Sequence, residues 1–468
     1  MKFYERCKKL LFAVICIICI KITNAQQPRT LLLSAAIQAG LNNYQSIKSK
    51  QSYLRASEEQ IKNIRNEYLP NIIASFQQDY GTVNGQFGPL SAYGTQGTTS
   101  SGPTNSTQNW SAAFGGVYVV NSNWEAFSFG RLKSRIIFAA AQINKDSADI
   151  VQEQFIQSVK ISGAYLNLLV AQTLKRTAVA NLDRAKYAQL VVIARTKNGL
   201  NAGVDSSIVN TEVSKAKLLI IDATNNEQQF SNQLAILMNT KPANYLIDTS
   251  FLKKLPHRFT TDQAVDANPQ VKFFKSRIDQ NDSYTRLLAK SILPGLNVFS
   301  IFQSKASGFD YNYSAANKNY TTNYFTGINP TRSNYVAGIS IAWNIMSIAK
   351  IKHQVIAQQF ITKGLQEEYN LISTQLSNQL ILSDQRIDNS IASWKEAPVQ
   401  YKAASDAYLQ KSVLYKNGLS NIIDLQQALY LLNRAETDIS VAYINVWQSL
   451  LQKAAASGDF TLFESQVL

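Results

Sequence analysis

Apolar residues along this chain recur with two different periods, and the change from one to the other happens twice. From about Thr30 to Tyr68, and again from about Pro269, they return every three to four positions, the spacing of one helix face. Both runs stop at a Leu-Pro pair, Leu69-Pro70 and Leu293-Pro294, where the proline disfavours helix for the residue before it. The segments that follow, "NIIASFQQDYGT" and "GLNVFSIFQSKASG", each lead to a second stretch with period two. "QNWSAAFGGVYVV" places Trp110, Ala112, Phe114, Tyr118 and Val120 on one side and Ser111, Ala113 and Gly115 on the other. "NYVAGISIAW" places Tyr335, Ala337, Ile339, Ile341 and Trp343 against Val336, Gly338, Ser340 and Ala342. The pattern predicts two β-hairpins, at about 71–121 and 295–343.

Large apolar residues alternating with small ones suit a strand with lipid on one side and a lumen on the other, although a soluble sandwich also alternates. Trp110, Trp124 and Trp343 fit an aromatic belt at a membrane surface. Within each hairpin lies a long loop. Residues 83–107 hold five glycines, two prolines and no charge, and 309–332 are rich in Asn, Tyr and Thr. After each second strand the helical period resumes, from Glu125 to Asn198 and from Trp343 to Asn417, the latter interrupted mainly by Gly364 and Pro398. Some 70 residues at roughly 1.5 Å each give a helix of about 100 Å, far more than a hydrocarbon core of about 30 Å. These stretches are polar on one side, so they are expected to stand in water beyond the membrane.

Both long helical stretches end in one word, "KNGLNAGVD" from Lys197 and "KNGLSNIID" from Lys416, 219 positions apart. The same offset lays Trp124 on Trp343, Phe127 on Met346, Arg131 on Lys350 and Asp205 on Asp424. It also keeps the phase of a heptad seam: Val209, Val213, Ala216, Ile220, Ala223, Phe230, Leu234 and Leu237 in one copy, Ala428, Leu432, Ala435, Ile439, Ala442 and Val446 in the other. A chance match of four letters would not preserve all of this, so the chain is an internal duplication. Four strands cannot close a membrane sheet, since known single-chain barrels begin at about eight. Several copies must share one barrel; two would supply eight strands and three twelve.

The start of the chain has the form of a secretory leader: basic "MKFYERCKK", the apolar run "LLFAVICIICI", and Thr23 and Ala25 in small-residue positions before a cut after Ala25. All three cysteines, Cys7, Cys16 and Cys19, lie within it, and 443 residues follow. The formal charge of +15 falls to about +11 without the leader, and the basic residues are scattered, which suits a solvated face. Enzyme chemistry lacks parts. The only histidines are His257 and His353, far apart in sequence, and the Gly-Lys pair of a phosphate-binding loop never occurs. No cofactor and no metal are expected, and any energy for transport must come from partners.

With these features together, the chain resembles the TolC family of outer-membrane efflux and secretion channels. The carrying features are the duplicated helix, hairpin, helix plan, the Leu-Pro pairs, Trp124, Phe127, Gly130 and Arg131 with their degenerate copy at Trp343, and the Gly-Leu turns before Asp205 and Asp424. The resemblance implies a mixed α and β membrane protein, a homotrimer whose 12-stranded outer-membrane β-barrel continues into a long periplasmic α-helical barrel. It divides the chain into a leader (1–25), a first repeat (26–240), a connecting segment (241–268), a second repeat (269–455) and a tail (456–468). It implies docking to a periplasmic adaptor and an inner-membrane pump through Asn198, Gly199, Leu200, Asn417, Gly418 and Leu419, and a periplasmic gate of Asp205, Asp424 and Tyr415. The family's best-known pattern has an arginine two residues after the second turn glycine, where this chain has Ser420. The competing reading is an exported trimeric coiled-coil adhesin or scaffold with a barrel anchor, which predicts one barrel block at one end of the chain.

Overall fold

A computed structural model describes residues 30–84, 90–93, 96–99, 106–252, 254–257, 259–260, 265–314 and 316–466. The predicted leader lies outside these residues, as do parts of the glycine-rich loop. In chain order the elements are β1 (Thr30–Leu31), α1 (Leu33–Asn43), α2 (Gln45–Asn66), β2 (Asn71–Thr82), β3 (Leu90–Tyr93), β4 (Gln96–Thr99) and β5 (Ala112–Phe127). They continue with α3 (Arg131–Lys197), α4 (Gly203–Met238), β6 (Leu246–Ile247), α5 (Pro269–Lys290), β7 (Gly295–Ser307), α6 (Tyr324–Ile328), β8 (Arg332–Ala342), α7 (Ser347–Lys416), α8 (Ile422–Ser457) and α9 (Thr461–Glu464). The chain divides into two compact units, one of Arg55–Ile143 and Ile278–Gly364, the other of the described residues up to Leu54 with Asn144–Arg277 and Leu365–Leu468.

The first unit holds a four-stranded antiparallel sheet in the order β2-β5-β7-β8. Its register sorts side chains by chemistry. One face carries the row Ala74, Val120, Phe302 and Tyr335, with Phe76, Trp124, Val298 and Ile339 in neighbouring rows. The other carries Ser75, Val119, Gln303 and Asn334, then Gln77, Val117, Lys305 and Arg332. Period two in the sequence therefore becomes an apolar face and a more polar one. Among the described residues, the outer edges of β2 and β8 have no partner strand within the chain.

Both Leu-Pro breaks are finished in the same way. The indole N–H of Trp124 donates to the Tyr68 carbonyl at 2.8 Å, and that of Trp343 donates to the Ile292 carbonyl at 3.0 Å. In each case the acceptor is two residues before the proline, just past the end of a helix whose last carbonyls lack intrahelical donors. A tryptophan at the end of the hairpin's second strand thus ties the hairpin to the helix that precedes it. The two copies then enter their long helices differently. In the first, β5 runs on to Phe127 through an irregularity between Glu125 and Phe127, and Phe129 (φ 50°) and Gly130 (φ 87°) turn the chain. Arg131 then pairs with Glu125. The helix expected from Glu125 therefore begins at Arg131. In the second copy Ser347 N–H donates to Asn344 Oδ1 at 3.2 Å and no left-handed residue is needed.

The second unit is helical. Its core gathers Ile161, Tyr165, Leu168 and Leu169 of α3, Leu234 and Met238 of α4, and Trp447 and Leu450 of α8, with Phe251 and Phe463 closing it. The Tyr165 hydroxyl donates to the Leu31 carbonyl at 2.7 Å and accepts from Asp248 N–H at 3.2 Å, fixing the ends of the short parallel pair β1 and β6. The duplicated seam appears as two equivalent small clusters: Ala185, Val213 and Ala216 between α3 and α4, and Ala404, Leu432 and Ala435 between α7 and α8. Alanine on both sides keeps these layers of the seam small. The predicted interruptions at Gly364 and Pro398 are absent, since α7 runs through both. Between the two helical hairpins, Arg184 donates to both Glu436 carboxylate oxygens, at 2.9 and 2.6 Å, and to Asn433 Oδ1 at 2.8 Å.

Replacing either Trp124 or Trp343 by Phe keeps the ring and removes the donor, and is expected to cost about 1 kcal/mol. Thermal unfolding of the variants measures it; an unchanged midpoint for both would refute the role of the indole N–H.

Candidate functional site

The two KNGL turns lie in one unit, and the same backbone rule makes both. Gly199 and Gly418 adopt φ of 72° and 75°, a left-handed conformation that glycine enters without the penalty of a Cβ. Gly199 N–H bonds the Thr196 carbonyl at 3.1 Å and Leu200 N–H the Arg195 carbonyl at 2.9 Å. Gly418 N–H and Leu419 N–H repeat this on Tyr415 and Leu414 at 3.1 and 2.9 Å. This is the Schellman closure of a helix C-terminus, with glycine at the left-handed position. Beyond the glycines the turns expose aliphatic side chains in equivalent positions, Leu200 (67% exposed) and Val204 in one, Leu419 (74%) and Ile423 in the other.

Behind the turns the two hairpins meet. Val192, Val209, Tyr415, Ile422 and Leu425 form one buried cluster, so each of the four helices contributes to it. Tyr415 is the largest member and is 2% exposed. Its hydroxyl accepts from Asn201 Nδ2 at 3.0 Å, and the same amide donates to Asp205 Oδ2 at 2.7 Å. Burial, and then the charge of Asp205, push the Tyr415 phenol above its ordinary value, against the opposing effects of Asn201 and Arg195. Tyr415 is therefore a neutral packing and hydrogen-bonding group at neutral pH. It joins the Asp205 turn to α7.

Arg195, one turn before Gly199, completes the connection. Its Nη1 donates to the Tyr415 and Lys416 carbonyls at 3.1 and 3.0 Å, its Nε donates to Asn201 Oδ1 at 2.9 Å, and its guanidinium lies 5.4 Å from the Tyr415 ring centroid. A cation on the last carbonyls of α7 satisfies two orphan acceptors and complements the negative helix end. The second turn is held separately. Asp424 Oδ2 accepts from Lys411 Nζ at 2.8 Å and from Ser420 Oγ at 3.3 Å, while Asp424 N–H donates to the capping Asn421 Oδ1 at 2.8 Å. The hydrogen bond from Lys411 holds the Asp424 carboxyl below its usual range.

The structure thus brings Asp205 and Tyr415 into one network through Asn201, and leaves Asp424 in another. Ser420 occupies the place of Asn201 in the repeat, and both reach the aspartate four residues on. Sequence reasoning missed Arg195, Asn201 and Lys411, and the exposed Val204 and Ile423. The last two were recoverable, because each sits four residues after a turn leucine in the 219-residue register. Trp124 and Trp343 lie at the same end of the sheet, and the exposed Trp110 precedes β5 at the other.

Comparison with known proteins places this geometry. Residues 36–240 match the family model described as outer membrane efflux protein. No curated protein sequence matches the chain. Among solved structures, the outer membrane protein VceC from Vibrio cholerae superposes with a TM-score of 0.70 at 14% identity, covering 91% of this chain and 96% of that one. The CmeC outer membrane channel of Campylobacter jejuni gives 0.71 at 13% identity over 91% and 85%, and the MtrE outer membrane channel of Neisseria gonorrhoeae 0.68 at 14% over 92% and 89%. At such identities these likenesses speak for the fold.

Arg195→Ala is expected to raise amide exchange at Asn417, Gly418 and Leu419 by roughly tenfold or more, from loss of charged hydrogen bonds to two carbonyls. Because the Asp424 carboxyl is depressed, its hold on Lys411 is fully present above its unfolded value near 3.8 and fades only as pH falls through the lower, folded value. Exchange protection around Ser420 should therefore stay flat through the neutral range and drop at acid pH, and Asp424→Asn should remove that drop. Residues 36–240 thus match the outer membrane efflux protein model, and nine-tenths of the chain shares the fold of these outer membrane channels.

Proposed function

We propose that three copies of this chain assemble into the outer-membrane exit channel of a tripartite efflux or type I secretion system. The observation that carries this reading is the sheet: four strands, one apolar face, one polar face, and two edges left open. In lipid those edges must be paired, and β2 of one copy meeting β8 of the next closes a twelve-stranded barrel with the apolar face outward. Trp110 at one end of the strands and Trp124 and Trp343 at the other then stand at the two membrane surfaces. Trp110 and Trp124 are fourteen positions apart in sequence, roughly 46 Å of extended chain, which a tilt of about 40° reduces to about 35 Å. That lies between a hydrocarbon core of about 30 Å and the roughly 40–45 Å of a bilayer with its interfaces.

The helical turns are the docking surface for a periplasmic adaptor, through which the channel works with an inner-membrane pump. Asn198, Gly199 and Leu200, and Asn417, Gly418 and Leu419, supply two similar contacts, and Val204 and Ile423 widen the aliphatic part of each. Asp205, Asp424 and Tyr415 form the gate. In a trimer the aspartates make rings of three carboxylates, which favour cations and resist anions. Arg195 does within one chain part of what the missing arginine would do: it fastens the α3–α4 turn to the end of α7 and resists their separation. The nature of the cargo is set by the pump.

Single-channel recording tests this. The purified protein should insert as a heat-modifiable trimer with low conductance, and Arg195→Ala combined with Tyr415→Phe should raise that conductance several-fold. An intact trimer that never conducts, in either form, would defeat the channel reading.

A further inference from the structure

The segment between β7 and β8 does not stand clear of the sheet. It folds back on it, and on the apolar face. Gly327 lies so close to β5 that a Cβ there would fall 2.6 Å from both the Cβ and the carbonyl oxygen of Phe114. The Tyr324 ring meets Phe114 edge-on at 5.1 Å, and its hydroxyl donates to Gln78 Oε1 at 2.7 Å. The Tyr118 hydroxyl donates to the Ile328 carbonyl at 2.7 Å. Phe114, Gln78 and Tyr118 all share the face of Phe76 and Val120.

The fold-back is built, not draped. At its base Gly308 N–H bonds the Phe114 carbonyl at 2.8 Å, Thr321 N–H bonds the Gly308 carbonyl at 2.8 Å, and Thr331 N–H bonds the Lys305 carbonyl at 2.9 Å. Phe309, Tyr313 and Tyr320 pack as a small aromatic core, and Asn323 caps α6 by accepting from Thr326 N–H at 3.1 Å. Phe325 meets the Tyr324 ring edge-on at 5.4 Å and is otherwise 77% exposed. From Phe309 to Thr331 the only charged residues are Asp310 and Lys318. A lid over the lumen would instead lie on the opposite face, among Gln77, Lys305 and Arg332, and the contacts just described are not there.

We propose that residues 321–330 form an interfacial collar on the outside of the barrel, docked at the boundary between headgroups and acyl chains of the surrounding lipid, with Phe325 as its anchor. The proposal rests on the barrel reading, since it is continuity with the lipid-facing surface that selects lipid as the partner. Aromatic side chains and short, internally bonded backbone suit that boundary, where unsatisfied polar groups are costly.

Because every cysteine lies in the predicted leader, single cysteines can be placed in the remainder without competition. Phe325→Cys, Ile339→Cys on the apolar face and Leu200→Cys in the helical turn are each labelled with an environment-sensitive dye and placed in phosphatidylcholine nanodiscs. The label at 325 should be quenched by shallow nitroxide lipid about as strongly as that at 339, and should be several-fold less accessible to iodide than that at 200. Adding Gly327→Ala, which pushes α6 off Phe114, should restore iodide access at 325. If position 339 is not quenched by lipid, the barrel reading itself fails. If 339 is quenched but 325 is open to iodide, the collar is overturned and the barrel stands. Shielding of 325 from both quenchers would mean that a neighbouring copy covers it, and this too overturns the lipid assignment.

Discussion

Everything in the β part of this protein follows from one requirement: a backbone in hydrocarbon cannot leave its N–H and C=O groups without partners. A sheet of four strands meets that requirement only along its three internal seams. In the proposed barrel the outer edges of β2 and β8 find theirs on other copies. The same requirement explains the indole caps. A helix that stops at Leu-Pro leaves carbonyls without intrahelical donors, and Trp124 and Trp343 supply a donor to one in each copy. In the proposed barrel the side chain that would mark the membrane boundary is also the one that closes the helix end.

In the helical part the governing term is close packing in water. Alanine facing alanine in equivalent places of both hairpins permits near approach but buries little area per residue, so the seam is weak in each turn and depends on length. Polar ties such as Arg184 with Glu436 and Asn433 add direction more than energy, because a partly buried ion pair gives back much of its attraction as desolvation. At the turn end, the small apolar cluster of Val192, Val209, Tyr415, Ile422 and Leu425 is supplemented by a few hydrogen bonds. Arg195 acts at that place.

Much of this was legible in the sequence. Period two, the Leu-Pro breaks and the glycines of the two turns are local signals, and a local rule reads them. The mixed α and β fold and its internal duplication follow from those signals alone. What was hidden depends on distant partners. Arg195 is one basic residue among many, and its acceptors are backbone carbonyls in the other repeat, which have no sequence signature. The extension of β5 to Phe127 was hidden because it needs positive φ at Phe129, a residue that ordinarily avoids it. Pro398 misled in the other direction: a proline inside a helix costs roughly 3 kcal/mol through its lost hydrogen bond and ring clash, yet the 70-residue α7 continues through it.

The two turns share a backbone but not a chemistry. One carries Asn201, tied to Arg195 and Tyr415; the other carries Ser420, tied with Lys411 to Asp424. In a ring of three chains, six turns of nearly one shape would therefore alternate between two polar surfaces. A partner of such a ring would meet a crown whose true symmetry is threefold and whose outline is close to sixfold. Subunits of such a partner, if identical, must read the shared aliphatic pair of Leu200 and Val204 or Leu419 and Ile423 and tolerate the rest, whereas a partner that reads the polar residues can occupy only every second position.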